Sequence, residues 1–168
     1  MATPTYDLLQ SVTLATAASS VTFSSINGSY GDLILVATPL APASNYFNLA
    51  LRFNSDSGNN YAFVVMSGNG TTNSSGYGSS EDRIRLSRLD LVYSSDVINQ
   101  TTCQIFDYSA NDKYKSTLTR CNTALNYVEA LAGIWKNTSA ITSIEVFVRS
   151  GSGEYAIGST FNLYGLRK

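Results

Sequence analysis

Phe47-Asn48-Leu49-Ala50-Leu51-Arg52-Phe53-Asn54 decides the fold class. Successive side chains of an extended chain point to opposite faces. Phe47, Leu49, Leu51 and Phe53 therefore share one face, and Asn48, Ala50, Arg52 and Asn54 the other. That is the pattern of a strand with one face on a core and one in water. Ile144, Val146 and Val148 repeat it against Glu145 and Phe147, and Phe161, Leu163 and Gly165 repeat it against Asn162, Tyr164 and Leu166. Residues 32–38 (DLILVAT) and 61–66 (YAFVVM) are more continuously apolar, the expectation for central strands covered on both faces.

Turn signals separate these runs. Asn27-Gly28 predicts a tight hairpin, because both residues tolerate positive φ. Pro39 and Pro42 close the strand ending at Thr38, and Gly151-Ser152-Gly153 divides two late strands. Residues 67–80 (SGNGTTNSSGYGSS) hold no aliphatic anchor, so an exposed, mobile loop is expected there. Residues 123–136 carry two periodicities. Ala124, Leu125, Val128, Leu131 and Ala132 sit at helical spacing, whereas Val128, Ala130, Ala132 and Ile134 alternate. Tyr127 and Trp135 favour sheet, which predicts a strand over about 127–136. Roughly ten short strands with turn-rich joints predict an all-β chain: an antiparallel β-sandwich, jelly-roll-like. It forms one domain over 6–168 behind a flexible or docking arm at 1–5.

Composition then narrows function. Serine, threonine, asparagine and glycine make up close to two in five of the 168 residues, and charged residues only 14%. Histidine is absent, which excludes Ser-His-Asp and Cys-His catalysis, histidine-ligated zinc and histidine pH switching. A net charge of -1 argues against an electrostatic grip on nucleic acid or on an acidic membrane. No segment approaches the length of a membrane span, and the first seven residues lack the basic start and apolar core of a signal peptide.

Few residues suggest chemistry. Gly76-Tyr77-Gly78 and Gly151-Ser152-Gly153 lack the strand-to-helix setting of a nucleotide loop, and no cofactor is expected. Residues 54–59 (NSDSGN) hold one carboxylate without a downstream bidentate glutamate, a turn rather than a calcium loop. The twelve acids are scattered and several adjoin bases, as in Glu81-Asp82-Arg83, so the chain reads as non-enzymatic. Cys103 and Cys121 flank a hairpin that, centred on Asp112, sets them directly opposite each other. They are either reduced thiols or a disulfide formed after release from the cell, and a reducing cytosol favours the thiols. Tyr46, Tyr61 and Tyr77, near Asn45, Asn59 and Asn60, are either a sugar- or receptor-binding patch or structural strand residues. Arg83, Arg85 and Arg88 alternate with Ile84 and Leu86, a row of exposed arginines that is either a solvated strand face, the reading favoured, or a dock for an acidic partner surface.

Several stretches, kept in order over nearly the whole chain, resemble a family of small virion structural proteins of tailed bacteriophages. They are Tyr6-Asp7-Leu8-Leu9-Gln10-Ser11-Val12-Thr13-Leu14, Ala18-Ser19-Ser20-Val21-Thr22-Phe23-Ser24-Ser25-Ile26, Tyr30-Gly31-Asp32-Leu33-Ile34-Leu35-Val36 and Phe106-Asp107-Tyr108-Ser109. Lys113-Tyr114-Lys115-Ser116, Trp135 with Thr138-Ser139-Ala140-Ile141-Thr142-Ser143-Ile144, and Gly158-Ser159-Thr160-Phe161-Asn162-Leu163-Tyr164-Gly165-Leu166 complete the set. The resemblance implies a capsid decoration (cement) protein on the capsid exterior, made in the bacterial host cytoplasm. Such a protein trimerises on the lattice of the major capsid protein. A tail-fibre module for a host surface glycan or receptor is the alternative it leaves open. The arm residues Ala2, Thr3, Pro4, Thr5 and Tyr6 are the expected clamp into the shell, with Arg83, Arg85 and Arg88 as a second docking candidate.

Overall fold

A computed structural model describes residues 4–41, 48–87, 99–123, 127–149 and 153–168. Twelve strands run through them: β1 (Tyr6–Thr13), β2 (Ser20–Phe23), β3 (Asp32–Thr38), β4 (Leu49–Phe53), β5 (Tyr61–Gly68) and β6 (Asn73–Glu81). Then follow β7 (Ile84–Arg85), β8 (Asn99–Ile105), β9 (Lys115–Thr123), β10 (Val128–Trp135), β11 (Ile144–Val148) and β12 (Thr160–Leu166). No helix occurs among the described residues. The strands form an eight-stranded sheet, β1-β12-β3-β8-β9-β10-β5-β6, and a four-stranded sheet, β2-β11-β4-β7. Every pairing is antiparallel. The first strand pairs with the last and the second with the eleventh, so the chain winds inward from both ends in the jelly-roll manner.

The core lies between the sheets. Leu33, Leu35, Cys103, Ile105, Phe161 and Leu163 come from the large sheet, and Phe23, Leu49, Leu51, Phe53, Ile144 and Val146 from the small one; all are fully buried. Trp135 packs 5.5 Å from Phe53 and stacks on Tyr61, closing one end, while Tyr155 and Phe161 meet at 4.9 Å at another. Burying side chains of this size stabilises by roughly 1.5–3 kcal/mol each.

Several expectations change. Residues 67–80 are not a loop but the turn and edge strand of a hairpin, β5–β6. Asn69 builds that turn: its Oδ1 accepts from the backbone N–H of Thr71 (3.0 Å) and of Thr72 (2.7 Å), and from both hydroxyls. Gly70 supplies the positive φ of 87°. An edge strand needs backbone bonds on one side only, so β6 forms without aliphatic anchors. Asn27-Gly28 does not form a hairpin, because β2 and β3 belong to different sheets; Asn27 Oδ1 instead accepts from Ser29 N–H within the crossing segment. The outward side of β4 is not open to water. Ala50 is buried between its cross-strand neighbours Phe147 and Arg85, Asn48 is buried too, and Arg52 lies 4.6 Å over the Phe147 ring. Residues 127–136 do form a strand, β10. Its inward side chains are Glu129, Leu131 and Trp135, so the alternating Val128, Ala130, Ala132 and Ile134 face out. Finally, β3 and β5 are not covered on both faces: Ile34 and Val36 are half-buried, Val64 and Met66 exposed. Ala2, Thr3, Pro42, Asn45, Tyr46, Phe47, Arg88, Gly151 and Ser152 lie outside the described residues.

Candidate interaction surface

The eight-stranded sheet has an outward face that the small sheet does not touch, and register fixes what that face carries. Directly paired residues point to the same side of a sheet. Leu8 pairs Tyr164, Tyr164 pairs Ile34, Ile34 pairs Gln104 and Gln104 pairs Leu118. Leu118 pairs Ala132, Ala132 pairs Val64 and Val64 pairs Tyr77. One transverse row thus crosses all eight strands, and seven of its eight residues are apolar or aromatic. The exception, Gln104, donates its amide to Asp32 Oδ2 at 3.0 Å.

The row is most open toward β6. Leu118 is 49% exposed, Val64 56%, Met66 63%, Val128 67% and Tyr77 81%. On β9, β10, β5 and β6, Arg120 is the one charged outward side chain among the described residues. Ala132 and Ala62 are small, and a shallow hollow of about 510 Å³ opens over them, walled by Val64, Tyr77, Ile134 and Ser116. An outward face of a sandwich sheet ordinarily alternates to polar residues. Exposed apolar fields of this kind are characteristic of interaction surfaces, ligand grooves and association-prone faces.

The sites expected from sequence fall elsewhere. Tyr61 is fully buried, its hydroxyl donating to the Asp56 carbonyl at 3.0 Å and accepting from Phe53 N–H at 3.1 Å. Tyr61 and Tyr77 therefore lie on opposite faces of the large sheet and form no common patch. The arginines are not an exposed row. Arg85 is tied to Glu81 at 3.3 Å and stacked 4.3 Å over Phe63, while Arg83 contacts Asp82 at 2.5 Å. β7 spans only two residues, and the acids beside it draw both guanidinium groups down onto the sandwich. Pro4 and Thr5 are exposed, and the Thr5 carbonyl accepts from Arg167 N–H at 3.1 Å. Tyr6 already belongs to the edge strand β1, which is fastened by Asp7 to Arg167 (2.8 Å) and Tyr30 (3.0 Å).

The cysteines are buried free thiols, and their hairpin is centred on Asn111, one residue before the expected centre. Cys103 therefore faces Thr119 and Cys121 faces Thr101, leaving the sulfurs diagonal rather than opposed. Burial pushes the Cys103 thiol up to about 12 and also raises that of Cys121, where the Glu129 carboxylate adds to the effect. Both are protonated, inert core groups.

Two of the described acids, Asp56 and Asp82, are tied into the fold by hydrogen bonds. Asp56 accepts from Trp135 Nε1 at 2.7 Å, Gly58 N–H at 2.9 Å and Asn60 at 3.0 Å. Burial raises its pKa, but these donors outweigh burial and hold it below the usual carboxylate value. Asp82 is likewise held low, its desolvation exceeded by Arg52 (2.6 Å) and Arg83 together. Among the described residues no group of three potential ligands is placed to hold a metal ion.

No protein-family model matches the chain, and no curated protein is similar to it in sequence. Among solved structures it is similar to part of a xylan beta-1,4-xylosidase from Bacillus halodurans C-125, with a TM-score of 0.37, 6% identity, and 84% of this chain covered. The chain spans 28% of that protein's length. It is also similar to CG-16, a homodimeric agglutinin from chicken liver, with a TM-score of 0.28, 12% identity, and 78% of this chain and 96% of that one covered. At these scores neither likeness bears on activity or ligand.

Sequence reasoning missed the apolar outward face, although its residues were in view. Val64 and Met66 were absorbed into a continuously apolar run, and Tyr77 into a polar stretch. The available signal was that 61–66 alternates between two sets that are both apolar or aromatic, while 127–136 alternates between two sets that each carry aliphatic residues.

Proposed function

We propose that this chain is a non-enzymatic structural protein of a bacteriophage virion, of the capsid-decoration type, which attaches to the major capsid protein lattice and strengthens it. The observation that carries the reading is the apolar outward face of the large sheet. A protein that works by being covered needs area and shape, and this face offers both without a charged or nucleophilic constellation. The sequence resemblance supplies the setting, the capsid exterior. The three-fold clustering implied by that resemblance belongs to the same proposal. The segment at 1–5, next to the edge strand β1, is the part assigned to grip the shell.

A second reading is favoured by one residue. Tyr77, 81% exposed, is the kind of ring on which a sugar stacks, as a tail-fibre module binding a host surface glycan would require. Against it, a sugar's several hydroxyls need polar partners, and around Tyr77 the apolar Val64, Ala62, Ala132 and Ile134 outnumber the serines Ser75, Ser79 and Ser116. Unmet hydroxyls there would weaken binding.

Copy number in purified particles tests the proposal. Quantitative mass spectrometry is expected to find the chain in hundreds of copies, falling sharply on deletion of 1–5 with the fold intact. A handful of copies would assign it to the tail, and its absence would overturn the virion reading.

A further inference from the structure

We infer that the outward face of the eight-stranded sheet binds a second copy of this chain, face to face, so that the free protein is a two-fold pair. The inference deepens the proposed function by naming the occupant of its surface.

Size points to a partner protein. Eight strands about 4.8 Å apart span about 34 Å, and strands of six or seven residues run about 20 Å, giving a face of ~700 Å². A stable protein interface covers ~800 Å² per partner. The whole face, its apolar row together with the polar positions beside it, approaches that size.

Charge points to a copy rather than to a charged partner. Across the eight strands the outward charges among the described residues are Arg120 and Asp32, and Asp32 already accepts from Gln104 and from Asp107 N–H, so a strongly charged surface finds little to complement. Two copies, by the same token, meet with almost no like-charge repulsion. Buried interface centres are depleted of charge in this way.

Relief makes the face self-complementary. On β10, Ala130 and Ala132 form a low strip; on β5, their direct partners Met66 and Val64 form a raised one, with Tyr77 standing beyond. Both strips lie on one surface. A contact that sets the ridge of one copy over the trough of the other, and the reverse, repeats each interaction twice and closes as a pair. Twisted sheets pack in this face-to-face manner at about 30°, with ~10 Å between them.

Sedimentation equilibrium tests the pairing. The wild-type chain is expected at twice its 18.1 kDa in the micromolar range. Val64→Glu places an unpaired carboxylate in the contact and should weaken pairing by about 100-fold or more. Thr22→Glu, at an exposed position on the small sheet, should leave the pair intact. Circular dichroism of both variants controls for folding, and Tyr77→Ser gives a second, uncharged probe of the same contact. A wild type that stays at 18.1 kDa, or a folded Val64→Glu that stays paired, overturns the inference. A chain that stays single yet loads onto particles defeats the pairing alone. A chain that pairs yet is missing from particles defeats the virion proposal alone.

Discussion

Trp135 shows how single residues hold this fold. Its ring is buried among Phe53 and Tyr61, and its indole N–H needs an acceptor, which Asp56 supplies at 2.7 Å. Asp56→Ala leaves that buried donor without its partner and should cost about 1–3 kcal/mol in chemical denaturation, with altered Trp135 fluorescence. Asp56 and Asp82 are also held below their ordinary pKa. Their stabilisation is complete above the unfolded carboxylate value of ~3.9 and is lost as pH falls through the lower folded values. Cys103 works in the opposite sense. Its folded pKa of about 12 exceeds the ordinary 9.0, so the folded state holds a proton that the unfolded state releases. Stability should therefore fall as pH rises from 9.0 toward about 12, and a denaturation series with Cys103→Ala should show a shallower decline. An Ellman assay is expected to find both thiols unreactive until the protein unfolds. That the cysteines sit on the two arms of one hairpin was legible, but not the register, so they do not face each other as expected. A shift of the turn centre by one residue depends on Asp107, whose φ of 47° and carbonyl bond to Ala110 N–H shape a turn that composition does not announce.

Strands with hydrophobic alternation were readable, and strands without it were not. β4, β11 and β12 follow from their patterns, since a core-facing apolar row leaves only one register that buries it. β6 (NSSGYGSSE) has no such row, and its formation rests on the ladder to β5 and on the Asn69 turn. Asn69→Ala removes an acceptor serving four donors and should destabilise by roughly 1 kcal/mol, with faster amide exchange confined to β6. If exchange accelerates equally throughout the sheet, the turn is not what holds this hairpin. β10 was legible as a strand but not in its orientation. Both of its faces carry aliphatic residues, and the inward one is set by Trp135 and by Gly133, where an added Cβ would come within 2.6 Å of Thr117 Oγ1. Nothing in the alternation alone chooses between the two.

For the whole molecule, the sandwich class was decided by alternation and turns, whereas the surface that matters was hidden by the same alternation. An apolar run reads as a buried central strand whether its second face meets another layer of the same chain or a different molecule. In β3 and β5 the second face meets no layer among the described residues, and that leaves the transverse row from Leu8 to Tyr77 as the molecule's most distinctive surface. A weakly charged, histidine-free composition was consistent from the start with a protein that holds surfaces together, and the row gives that composition a location. The central claim is that this face is covered by protein in an assembled virion. Cryo-electron microscopy of purified particles tests it most directly. The account predicts hundreds of copies on the capsid exterior with Val64, Met66 and Tyr77 closed beneath a second protein surface. Copies seated on the capsid with that face open to solvent, or particles without the chain, would contradict it.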